Sequence, residues 1–167
     1  MNKNTHAARS ILVAVVAVLA STLSVVGGAA APASALMSSG EVRAMSSTTY
    51  EEQVQYYINR KRAARGLRKL TLESCTDSLS ERWSQHLADT GQFYHQSLDP
   101  FFNRCGARYA GETLARGGAS PQDMVRAWMN SDGHRRVMLS KSPRRLGVAA
   151  VLDSQGRWVL TANYTRF

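Results

Sequence analysis

Ser131 and His134 stand three residues apart, which on a helix puts a hydroxyl and an imidazole on one face, with Asp132 beside them. That is the start of a nucleophile and base. The third group is missing, because Asp132 projects away from that face and no Gly-x-Ser-x-Gly turn occurs in the chain. Ser131 reads better as a helix cap. The histidines show no metal pattern by spacing alone, since there is no His-Glu-x-x-His. His86, at helical spacing from Trp83 and next to Leu87, reads as a partly buried core histidine outside any site. The cations do cluster. Arg60, Lys61, Arg62, Arg65, Arg68 and Lys69 form one group, and Arg135, Arg136, Lys141, Arg144 and Arg145 form another. Such runs are often only solvated faces, but the formal net charge of +9 draws the chain to anionic surfaces by screened attraction.

The elements that carry these residues begin after an export signal. Lys3 and Arg9 precede an apolar run from Ile11 to Val26, and Ala33-Ser34-Ala35 has the form that signal peptidase accepts. Residues 1–35 are therefore expected to be a signal peptide cut after Ala35, and the protein to be secreted. The alternative is a retained membrane anchor, which the Gly27-Gly28 break disfavours. Without Lys3 and Arg9 the charge falls from +9 to +7. In an oxidising compartment Cys75 and Cys105 are expected to pair, the one intramolecular bridge two cysteines allow. At 167 residues there is room for one domain, and a secreted chain without a reader motif is not expected to bind nucleic acid.

Residues 36–47 are polar, Ser-rich and without apolar period, so they read as a flexible linker before a domain at 48–167. Thr48 or Thr49 can cap a first helix that presents Val54, Tyr57 and Ile58 and stops at Gly66. A second helix is predicted from about Asp77 to Thr90, with Gly91 as its stop. Ser120, Pro121 and Asp123 open a third, whose apolar side is Met124, Val125 and Trp128. A short fourth starts at Ser131 or Asp132 and runs through Leu139. Leu146 to Leu152 and Trp158 to Tyr164 then alternate around Asp153-Ser154-Gln155-Gly156, the pattern of an antiparallel hairpin, and Glu112 to Ala115 is a candidate further strand. Helices over an antiparallel sheet make an α+β layered domain.

Phe93-Tyr94-His95-Gln96-Ser97, Cys105-Gly106, Gly111-Glu112-Thr113-Leu114-Ala115 and Trp128-Met129-Asn130-Ser131-Asp132-Gly133-His134-Arg135, followed by an aromatic hairpin, resemble the bacterial branch of the CAP superfamily. Its relatives are the cysteine-rich secretory proteins, venom antigen 5 and plant pathogenesis-related proteins. The resemblance covers roughly Tyr50 to Phe167 and implies an α-β-α sandwich with a surface cleft of two histidines and acidic groups. His95 matches the first family histidine, Glu112 the glutamate of Gly-Glu-Asn, and His134 the second histidine. Ser131 stands where animal and plant members carry a second glutamate, and Thr113 replaces the usual Asn.

Two imidazoles and a carboxylate can hold a Zn2+-like ion with one position open, and they can equally form a satisfied hydrogen-bond network that serves only as scaffold. With one acid of the family set absent, the first expectation is a non-catalytic, monomeric binding domain. Its partner is expected to be a lipid or sterol, which family members are associated with, or an anionic cell-envelope polymer. A metal-dependent hydrolase using His95, Glu112 and His134 is the alternative, and a purely structural, loop-displaying protein a third.

Overall fold

The computed structural model describes residues 37–167. The expected signal peptide and its cleavage point lie outside the described residues. Where a linker was expected, residues 39–43 form α1 (Ser39–Arg43), closed by a reciprocal cap in which Glu41 N–H donates to Ser38 Oγ and Ser38 N–H to the Glu41 carboxylate. The apolar period is too short to see in sequence because one residue carries it. Val42 is 2% exposed, packs in the main core, and accepts a hydrogen bond from Trp158 Nε1 at 3.0 Å.

The next helix, α2 (Ser47–Ala63), starts earlier than predicted because Ser46 rather than a threonine is its cap, accepting from Thr49 N–H. Tyr50, Val54 and Ile58 form its buried stripe. A two-residue strand, β1 (Thr71–Leu72), leads into α3 (Ser74–Thr90). The α3 start also precedes the prediction, since the Glu73 carboxylate accepts from both Cys75 and Thr76 N–H. Gly91, at φ 71°, ends it as expected.

A short α4 (Asp99–Asn103), not anticipated, precedes β2 (Tyr109–Gly117), which is longer than the strand expected at Glu112 to Ala115. Then come α5 (Pro121–Asn130), capped by Ser120 as predicted, and α6 (Asp132–Met138). The hairpin of β3 (Arg145–Leu152) and β4 (Trp158–Arg166) closes the domain.

The sheet order is β1-β3-β4-β2, antiparallel except for the short parallel pair β1 and β3. Alternation along β4 sorts the two faces. Trp158, Leu160, Ala162 and Tyr164 join Tyr50, Ile58, Val125 and Trp128 in one core under α2 and α5. Thr161, Asn163 and Thr165 meet α3 on the other face, bonded to Ser84, Ser80 and Thr76 respectively. The result is an α-β-α sandwich with one apolar and one partly polar interface.

Arg62 departs from its expected place in a solvated basic face. It is 1% exposed, and its guanidinium donates to the carbonyls of Arg68, Met138 and Ser140 at 2.7–2.9 Å. The Cys75–Cys105 bridge is present, with Cα atoms 5.7 Å apart, and ties α3 to the segment after α4.

Candidate functional site

Strand β2 is an edge of the sheet, and the segment from Gln92 to Leu98 crosses over it without regular secondary structure. Its course is held from both sides. Arg116 on β2 donates to the carbonyls of Leu87, Gly91 and Gln92 at 2.6–2.9 Å and lies over the Phe93 ring at 5.0 Å. Tyr94 rests edge-on against Trp83, while His86 bonds its hydroxyl at 3.1 Å and Trp83 Nε1 its carbonyl at 3.3 Å. His86 is thus a half-buried partner that positions the segment, outside the site as expected.

That segment delivers His95 to Glu112. Glu112 pairs in register with Asn163 on β4, and its side chain is 3% exposed. Its Oε1 lies 2.6 Å from His95 Nδ1 and accepts from Gln96 N–H at 3.3 Å; its Oε2 accepts from Gln96 Nε2 at 2.6 Å. Burial of a carboxylate is costly unless it is satisfied, and here both oxygens are. The His95 ring, 60% exposed, therefore turns Nε2 outward with its other nitrogen fixed by Glu112.

His134, half-buried at the start of α6, faces the same cleft. Burial first, and then the neighbouring His95 imidazole, hold it below the ordinary histidine value, so it is neutral at pH 7. Ser131 joins α5 to α6 as the last cap of one and the first of the other. Only its backbone performs the expected capping, with the carbonyl accepting from Arg135 N–H at 2.8 Å, while its side chain makes no cap bond. The nucleophile reading finds no support, because among the described residues no hydrogen bond joins Ser131 to His134 and the Asp132 carboxylate is paired with Arg135.

The residue set can be tested against a zinc-like ion. Two imidazoles face the cleft, but Glu112 has spent both oxygens on His95 and Gln96, in the manner of a carboxylate that orients a histidine. Among the described residues no three His, Cys, Asp or Glu side chains converge to hold a metal. The set His95, Glu112 and His134 does not meet as three ligands, one short of a catalytic zinc site. Gln96 and Arg116 were missed by sequence reasoning. Gln96 lies within a motif that was read for its histidine alone, and Arg116 gives no local signal, its partners being carbonyls 24 to 29 residues away.

A family model described as the cysteine-rich secretory protein family, CAP, matches residues 55–164. The uncharacterized protein YkwD of Bacillus subtilis is 35% identical over 136 residues, which cover 77% of this chain and 52% of that protein. The chain thus spans about half the length of that relative. Among solved structures, an outer surface protein from Borrelia burgdorferi superposes with a TM-score of 0.66 at 13% identity, over 73% of this chain and 96% of that one. An extracellular protein containing an SCP domain from Bacillus anthracis gives 0.64 at 24% identity, over 72% and 41%. At these identities the structural likenesses establish the fold.

Proposed function

This chain belongs to the cysteine-rich secretory protein family, and from that membership and the cleft geometry we propose that it works outside the cell as a non-catalytic binding module for an anionic component of the cell envelope. One observation carries the reading: the buried carboxylate of the cleft has both oxygens hydrogen-bonded in holding His95 and Gln96. A general base must reach a substrate proton, and a third metal ligand must turn a free lone pair toward the ion; Glu112, 3% exposed and hydrogen-bonded through both oxygens, is poorly placed for either. What the cleft presents outward is the His95 ring and the His134 ring. Those rings can donate and accept, which suits a polar ligand, and the net charge, +7 once Lys3 and Arg9 leave with the expected signal peptide, favours an anionic one. The hydrolase alternative would need Glu112 released from its partners. That the structural relatives are described as an outer surface protein and an extracellular protein supports export.

Sedimentation of the purified protein with isolated bacterial cell walls tests this. Binding is expected to fall as salt rises from about 50 to about 500 mM and to fall again on walls stripped of anionic polymer. Binding indifferent to both treatments, or release of a cleaved product from the walls, would overturn it.

A further inference from the structure

A second concave surface lies at the far end of the sheet from the hairpin turn. Arg68, Lys69, Thr71, Arg144, Arg145 and Phe167 line a groove of about 440 Å³. Its two basic pairs are held side by side by backbone. Thr71 and Arg145 are register partners of β1 and β3, Thr71 N–H donates to Arg144 O at 3.4 Å, and Arg144 N–H donates to Thr165 O at 2.8 Å. Adjacent strands lie about 5 Å apart, so the stretch before β1 that carries Arg68 and Lys69 runs beside Arg144 and Arg145.

Charge compensation is scarce there. None of the six lining side chains is acidic. Glu73, the carboxylate that feels Arg145, is spent on Cys75 N–H, Thr76 N–H and the Thr76 hydroxyl at 2.7–3.0 Å. Beneath the groove lies Arg62, buried, neighboured by Arg144, and bonded only to carbonyls, so its charge is not cancelled by a carboxylate contact. The cationic heads also remain available. Arg145 gives one nitrogen to Thr71 Oγ1 and Arg144 one to the Lys141 and Pro143 carbonyls, leaving their other N–H groups free, while Arg68 and Lys69 side chains hold nothing among the described residues.

We propose that this groove is a binding site for phosphodiester groups of an anionic polymer, with Arg68, Lys69, Arg144 and Arg145 on the phosphate oxygens and the exposed Phe167 ring against the polyol between them. Guanidinium forks match phosphate oxygens in pairs, and lysine adds a point charge. The proposal rests on the reading that the chain meets an anionic envelope component, and it adds a contact for that component beyond the histidine cleft.

The probes are poly(glycerol phosphate), inorganic phosphate, and vesicles containing phosphatidylglycerol, titrated into the full chain with its disulfide intact. A fourfold variant, R68Q/K69Q/R144Q/R145Q, is compared with a charge-matched control, R65Q/R82Q/R104Q/R136Q, whose sites are outside the groove. The polymer is expected to bind wild type and the control within about threefold of each other, and the groove variant about 100-fold more weakly with a shallower salt dependence. Amide shifts on adding polymer or phosphate should centre on residues 68–72 and 144–146. Should the fourfold variant fold poorly, R68Q/K69Q serves, with a loss of about tenfold expected. Equal weakening of groove and control variants would overturn the groove while leaving the proposed function standing. Binding to vesicles but not to polymer would overturn the assignment of the ligand. No polymer binding by wild type would sink both readings.

Discussion

Gly147 gives the most direct test of how α3 is seated on the sheet. A Cβ built there meets the carbonyl carbon and oxygen of Thr76 at 2.6 Å and Asp77 N at 2.7 Å, all backbone atoms of the first turn of α3. Carbon pairs rest at about 3.5–4.0 Å, so in Gly147→Ala the helix must retreat by about 1 Å. Two bonds span that gap: Val148 N–H to Asp77 Oδ1 at 3.0 Å, and Thr76 Oγ1 with Thr165 Oγ1 at 2.9 Å. Overpacking costs about 1–3 kcal/mol, and loss of a bond to a carboxylate about 1.5–3 kcal/mol. The sum, about 2.5–6 kcal/mol, is a large share of the stability of a small domain. Urea unfolding at pH 7, followed by far-ultraviolet circular dichroism, should show the midpoint fall by about 2–4 M for a slope of about 1.5 kcal/mol per molar. Hydrogen exchange at the Val148 amide should accelerate with it. A midpoint shift below about 0.5 M with Val148 still protected would refute the reasoning, because the helix would then have absorbed the methyl without moving.

The bridge between Cys75 and Cys105 closes a loop of sequence separation 30, so its reduction should lower unfolding stability by about 3–4 kcal/mol; a change under about 1 kcal/mol in matched urea curves with and without reductant would contradict this. Deleting residues 37–45 removes buried Val42 and leaves Trp158 Nε1 without its acceptor, which should cost about 3–5 kcal/mol and lower the melting temperature by more than about 10 °C, read by calorimetry. Against the desolvation of burial, hydrogen bonds from Arg157 and Gln155 hold the Asp153 carboxyl below its ordinary value, so its contribution is complete above the usual carboxylate range and is lost as pH falls through the lower folded value. Asp153→Asn should therefore flatten the acid limb of a stability curve below about pH 4, and an unchanged limb would remove Asp153 as its cause. In His95→Ala, the His134 titration followed by proton nuclear magnetic resonance should move up toward the ordinary histidine value without reaching it, since burial, the larger cause, remains. No movement would mean the two rings do not share a cleft.

The elements with strong local grammar were legible. Ser120-Pro121 with Asp123 three residues after the cap named the start of α5, and the two alternating runs around Asp153-Ser154-Gln155-Gly156 named the hairpin. What escaped was held either by an uncommon local cap or by contacts distant in sequence. The first-turn shift of α3 comes from Glu73, a less common cap that reaches two amides where a serine reaches one. Strand β1 has two residues and no periodicity to detect, and α1 is folded by Val42 reaching a tryptophan 116 residues away. Arg62 looked like its basic neighbours because nothing local announces that three carbonyls are gathered to receive it.

The site was legible as a set of residue types and illegible as chemistry. The motifs around His95, Glu112 and His134 named the cleft, yet spacing alone could not choose between a metal set and a hydrogen-bond network. The hydrogen-bond network includes Gln96, whose backbone and side chain both donate to Glu112. A carboxylate has about four lone-pair sites, and the three hydrogen bonds from His95 and Gln96 tie both Glu112 oxygens to the frame. The sheet face explains why that frame is tolerated. Glu112 lies in register beside Asn163, in a buried row where Thr161, Asn163 and Thr165 are bonded to Ser84, Ser80 and Thr76 of α3. A polar row of this kind fixes register, because sliding β2 by one residue would turn Glu112 into the apolar face and strip it of His95 and Gln96 together. The same carboxylate that locks the edge strand also aims the His95 ring at solvent, so replacing it would disturb the sheet edge and the cleft at once.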